Sequence, residues 1–354
     1  MGFSTFVKTK YKQTNSILNQ ISLIFIILGI GFLMLNSINK NNFTDNTSTD
    51  NIFKCKISNT NENLLPVESL NTTFSISIID YSTDVFKTAL TKNSIPALLN
   101  PKYDDFSKSS NCLSDDELAV VIVNDSTVLV FPLKILRYHI AINTYINDQP
   151  ILISYSPLAD HIEVFSRNYK NSILEFGVSG SLYKNADLLY DLSSESLWSQ
   201  FNGKALIGNY TGATLEKLTY KIFNIDEIHS IYSDFKILSF DTGYMRNYDI
   251  DTFVSYKTDG NVIGTIKNSQ TDFENKDIVL GFNIDNTQYA LLESSITDNI
   301  EYYSEGVRNF EISKFNGEYL INIITSTGKT RINDYTTAYA FVWYDFFPLT
   351  KKLH

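Results

Sequence analysis

The chain has 354 residues, of which 43% are hydrophobic and 14% aromatic; that supplies ample core and excludes an intrinsically disordered protein. Net charge is −10 and the isoelectric point about 4.9, which excludes nucleic acid as a partner, because phosphate backbones are bound by clustered Lys and Arg that release counterions. The 22 Tyr and 24 Phe suit half-buried strand faces better than helical bundles, so a β-rich fold is expected.

Residues 1–16 carry Lys8, Lys10 and Lys12 and no acid, and Ile17 to Ile38 then runs without a charge. That stretch is long enough to cross a bilayer. With the cations before it and the first acid after it at Asp45, the positive-inside rule predicts a single-pass anchor, residues 17–38, with the N-terminus cytoplasmic and the main domain extracytoplasmic. A cleaved signal peptide is the rival reading, but no small-x-small site follows at Leu35-Asn36-Ser37-Ile38. Residues 39–63, rich in Asn, Ser and Thr, read as a flexible tether. The domain proper, 64–354, opens with the strand-like alternation Phe74-Ser75-Ile76-Ser77-Ile78. Two cysteines, Cys55 and Cys112, lie on the external side of the anchor, where one disulfide is the natural pairing and two free thiols the alternative.

Further along, Glu117 to Ile122 reads as a strand, Asn124 to Thr127 as a polar turn, and Pro132 to Tyr138 as a short helix with Pro in its first turn. Ile151 to Tyr155 and Ile162 to Phe165 read as strands, and Asp226 to Ser233 has helical apolar spacing. The first strand and turn recur 160 residues later as Asp277 to Phe282 with Ile284 to Thr287, and Ile228 to Lys236 recurs 115 residues later as Trp343 to Lys351. These matches predict an internal duplication, repeats 115–240 and 275–354, with the second copy shorter by 160 − 115 = 45 residues. Hairpins that converged on one pattern are the alternative. The whole reads as an α+β domain of mainly antiparallel strands and hairpins with a few short helices.

Standard catalytic motifs fail on inspection. Gly177-Val178-Ser179-Gly180-Ser181 lacks the last glycine of a nucleophile elbow, and Gly328-Lys329-Thr330 has Ile323 where a phosphate-binding loop needs its first glycine. Asp115-Asp116 reads as a solvated turn, and four His leave little general-base capacity.

Six blocks in fixed order are more informative: Ser94-Ile95-Pro96-Ala97, Phe131 to Leu136, Tyr155-Ser156-Pro157-Leu158, Phe176 to Gly180, Ser196 to Gln200 and Asp241-Thr242-Gly243-Tyr244. Together they resemble the prokaryotic domain-of-unknown-function family numbered 3179, strongly over about residues 90–255 and weakly over 270–354. The resemblance implies an envelope-associated domain and no stated chemistry. In that family the Tyr155 block typically reads Tyr-Cys-Pro-Leu-Cys-Gly followed by Ser or Thr, a spacing suited to a metal half-site or a dithiol. This chain has Ser156 and Ala159 there, so thiol chemistry is lost at that loop; Asp160-His161 and Tyr138-His139-Ile140 are further departures. His139 and His161, with Asp160 or Glu163, are candidate ligands for copper or zinc. One hydrogen-bonded core His and one surface His is the plainer reading. The leading expectation is a membrane-anchored extracytoplasmic binding or scaffold protein, with envelope proteins or a second copy of itself as partners. The alternative is a metal-dependent or redox enzyme that uses His139 and His161.

Overall fold

The computed structural model of the protein describes residues 86–354. The anchor, the tether, the Phe74–Ile78 strand and Cys55 lie outside the described residues, and among those described no helix is long and apolar enough to cross a membrane. Five sheets of four or five mostly antiparallel strands stand in a propeller-like arrangement, with one two-stranded ribbon beside them. The antiparallel, β-rich part of the expected fold is observed; helices are connectors, and the longest of them, Leu133–His139, Ile225–Ile231 and Ala340–Phe346, have seven residues each.

The hairpin turns follow from local chemistry. Leu118–Asn124 and Thr127–Pro132 are joined through Asp125 at φ 55°, and Ile278–Ile284 and Thr287–Leu292 through Asp285 and Asn286 at φ 48° and 63°. Short polar side chains tolerate that left-handed geometry. Helix Ile225–Ile231 starts from a reciprocal capping box in which Asn224 accepts from Glu227 N–H and Glu227 accepts from Asn224 N–H.

The two similar sequence segments build sheets with the same four-strand topology, to which the first adds Tyr103–Asp105 antiparallel to Lys236–Leu238. In the first, strand Lys221–Asn224 pairs antiparallel with Leu118–Asn124, which pairs with Thr127–Pro132, and Lys236–Leu238 returns parallel to the latter. In the second, Tyr335–Tyr339, Ile278–Ile284, Thr287–Leu292 and Lys351–Lys352 take the same places and directions. The registers agree residue for residue at the two offsets: Ile222 opposite Val120 matches Thr337 opposite Leu280, and Lys236 opposite Leu129 matches Lys351 opposite Tyr289. Between hairpin and return strand the first unit encloses two sheets, within 141–207, and the second only one, within 301–332. That missing sheet is the physical content of the length difference.

Apolar layers fill the spaces between neighbouring sheets. Val120, Ile122, Leu129 and Phe131 of the first unit meet Ile142, Ile146, Ile151 and Ile153 of the sheet spanning 141–166. The other face of that sheet presents Leu152 and Phe165 to Phe176, Leu189 and Trp198. Arg167 is fully buried with no acid partner among the described residues; its guanidinium donates to the carbonyls of Ile151, Leu174 and Thr144 at 2.9–3.0 Å and ties three chain segments together.

Candidate functional site

Three of the sequence blocks meet at His139, the last residue of helix Leu133–His139. Its Nδ1 is 2.8 Å from the Pro96 carbonyl and its Nε2 2.7 Å from the Tyr248 hydroxyl. A carbonyl only accepts, so Nδ1 carries the hydrogen, Tyr248 donates to Nε2, and Thr242 in turn donates to Tyr248 over 2.6 Å. This one-way chain fastens the Ser94–Ala97 block, the helix and the Asp241–Tyr244 block together. Burial keeps the ring neutral, with its pKa pushed down to about 4. The next residue, Ile140, sits at φ 60°, a rare conformation for a β-branched side chain. It is fixed by its N–H to the Leu136 carbonyl and by its own carbonyl, which accepts from Tyr155 N–H and the Ser154 hydroxyl.

Strands Gln149–Ser156 and His161–Ser166 pair so that Ser156 faces His161 and Ser154 faces Glu163, which puts these four polar residues on one side of the sheet. Ser156 donates to Asp187 Oδ2 at 2.6 Å and accepts from Asp187 N–H at 3.3 Å. Burial pushes the Asp187 carboxyl up to about 6 against the opposing pull of the Ser156 hydrogen bond. The Gln200 amide donates to the carbonyls of Ser154 and His161 and so ties the Ser196–Gln200 block to the same strands. In that block Trp198 donates Nε1–H to Asp191 at 3.0 Å and packs edge-on against Phe176.

His161 is fully buried, not a surface residue as one of the two histidines was expected to be. Its Nδ1 is 3.0 Å from the Thr337 carbonyl and its Nε2 3.2 Å from that of Phe201, while burial lowers its pKa to about 4. A neutral imidazole has one hydrogen, so it satisfies one carbonyl, and the shorter contact assigns the hydrogen to Nδ1. Ala159 packs into the apolar layer around helix Ala340–Phe346.

Asp160 turns elsewhere. At φ 46° it accepts from the Tyr155 hydroxyl at 2.7 Å, and burial raises its pKa. His139, His161 and Asp160 therefore do not form one ligand set, and among the described residues no group of three or more His, Cys, Asp or Glu is placed to hold a metal. Cys112 is buried on the short turn Ser110–Cys112, and the expected disulfide to Cys55 involves a residue outside those described.

Beside Tyr155 opens a cleft of about 230 Å³ lined by Glu117, Leu133, Arg137 and Lys257. Arg137 lies 2.8 Å from Asp251 and 3.7 Å from Glu117, and Lys257 lies 3.1 Å from Asp251. Lys134 is 3.3 Å from both Glu117 and Asp249 and donates to the Cys112 carbonyl. Burial alone would lift the Asp251 carboxyl, but Phe253 N–H, Arg137 and Lys257 together hold it below the usual range. Sequence reasoning singled out none of Arg137, Asp187 or Asp251. Arg137 had a signal, since it sits one helical turn after Lys134 in the expected helix Pro132 to Tyr138; Asp187 and Asp251 had none.

Residues 92–322, about two thirds of the chain, match the model of the family described as Protein of unknown function (DUF3179). The chain belongs to DUF3179. No curated protein and no solved structure matches it. All six blocks lie inside the DUF3179 match, and the cleft beside Tyr155 brings two of them together through Leu133 and Tyr155.

Proposed function

We propose that this DUF3179 member is a membrane-anchored extracytoplasmic binding or scaffold protein of the cell envelope. The observation that supports it best is the internal engagement of Ser156, His139 and His161, the groups that carried the sequence's candidate chemistry. Ser156 is closed onto Asp187, His139 onto Pro96 and Tyr248, and His161 onto two backbone carbonyls, while the open polar surface lies in clefts. The Asp187 carboxylate is a base within reach of Ser156, but both residues are buried away from solvent, and His139 and His161 spend their ring hydrogens on backbone carbonyls rather than on Ser156 or a carboxylate. The same contacts weigh against metal or redox chemistry at His139, both of whose ring nitrogens have hydrogen-bond partners, and at His161, which is fully buried with a backbone carbonyl against each ring nitrogen.

The uncharged span Ile17 to Ile38 with its preceding lysines supports the anchor, and the matching registers of the two units support their origin by internal duplication. Fractionation tests the central claim. Full-length protein should sediment with membranes and resist carbonate extraction, with residues after 40 open to external protease. Release by carbonate, or protection of the domain in intact cells, would end this reading.

A further inference from the structure

A second cleft, of about 390 Å³, lies where the segment entering strand Lys221–Asn224 meets the segment entering Tyr335–Tyr339. At the offset of 115 residues that relates the two return strands, Tyr220 corresponds to Tyr335, so the cleft is faced by the same position of both units. Glu163 lies at its base, 3% exposed, with Lys217 Nζ 2.6 Å from its carboxylate. Lys217 is also 3.7 Å from Asp334, an exposed residue at the rim. With Lys221, the charged groups lining the cleft cancel. The Tyr220 hydroxyl donates to the Ile162 carbonyl, which fixes that ring, and the Tyr335 hydroxyl accepts from Tyr319 N–H. The Tyr335 hydroxyl hydrogen and the Thr219 hydroxyl have no hydrogen-bond partner among the described residues, and Asn333, whose Oδ1 accepts from Arg331, keeps its amide hydrogens open.

We propose that this cleft binds an uncharged carbohydrate. The cleft has the volume of a small-molecule site. A charged ligand would meet both Lys217 and Asp334, so either sign is opposed by one of them. An apolar ligand would bury a charged pair and several open donors without replacing their water, which is unfavourable. A sugar ring suits what is present, because its hydroxyls both donate and accept, as Asp334, Asn333, Thr219 and Tyr335 require, and its C–H face carries the weak positive charge that an aromatic π-face attracts. The proposal rests on the binding reading above.

The test is a screen of full-length protein in detergent against an array of neutral oligosaccharides, followed by calorimetric titration of the strongest hit, with sodium acetate and spermidine as charged probes. Wild type should bind at least one neutral glycan and neither charged probe. Tyr335→Ala, which removes one wall, should weaken binding at least tenfold, and Asp334→Asn, at the exposed rim, several-fold with no change in melting temperature. Should Tyr335→Ala fail to fold, the Asp334→Asn titration decides. No neutral glycan bound, or glycan binding that Asp334→Asn leaves unchanged, overturns the proposal. Binding of acetate or spermidine alone would also overturn it while leaving the protein a binding protein.

Discussion

A valine at position 281 puts the equivalence of the two units to a quantitative test. Gly281 sits mid-strand, opposite Ala290 and Thr336, and a Cβ built there falls 2.3–2.5 Å from three ring carbons of Trp343. The ring has no easy escape: it is 3% exposed, its Nε1 donates to the Thr350 hydroxyl at 2.9 Å, and Phe347 packs 4.5 Å from it. In the first unit the corresponding positions hold Val121 and Ile228, packed in one apolar layer. Volume is thus redistributed between strand and helix, with Gly under Trp in one copy and Val under Ile in the other. Overpacking by Gly281→Val should destabilise the domain by about 3 kcal/mol, at the upper end for such changes. Trp343→Ile alone should cost about 3–5 kcal/mol through the cavity it leaves. The double variant rebuilds the first unit's pair and should be at least about 2 kcal/mol more stable than the sum of the single effects predicts. Urea unfolding of the four proteins measures the coupling. Additivity within about 0.5 kcal/mol would refute the idea that the units share one packing solution.

Asp187 gives a pH signature. Its carboxyl is raised from 3.8 to about 6 in the fold, so the folded state holds the proton more tightly than the unfolded one. The stability this contributes is full below about pH 3.8 and is lost as the pH rises through about 6, a change of about 3 kcal/mol at 1.36 kcal/mol per pKa unit. Asp187→Asn should remove that fall, and stability curves for the variant and wild type that run parallel between pH 4 and 7 would contradict it. His139→Ala breaks the link between Pro96 and Tyr248 and empties a buried ring site, for an expected loss of about 3 kcal/mol in denaturant unfolding, whereas a loss below about 1 kcal/mol would deny the residue its fastening role. Non-reducing peptide mapping should recover a Cys55–Cys112 crosslink, and alkylation of both thiols in unreduced native protein would exclude it. Metal analysis of the full-length protein should find no stoichiometric copper or zinc that the His139→Ala/His161→Ala double variant loses; finding it would restore the metal-site alternative.

Sequence by itself determined whatever depends on short-range chemistry. The alternation of apolar residues set the hairpin strands, Asp125 and Asp285-Asn286 set their turns, and Asn224 with Glu227 set a helix start, because each is decided by neighbours a few residues away. Recurrence at offsets of 160 and 115 already contained the shared registers of the two units, since a slip of one residue would have turned every buried side chain outward. Tertiary structure alone decided the sites. Ser156 meets Asp187 across 31 residues, His161 meets Thr337 across 176, and Tyr220 and Tyr335 face one cleft, pairings set by how the sheets stand against each other. Spacing along the chain carries no record of that arrangement. His139 and His161 look alike in sequence as spare imidazoles, and only the fold gives one a directional link between blocks and seals the other between two carbonyls, with burial keeping both neutral.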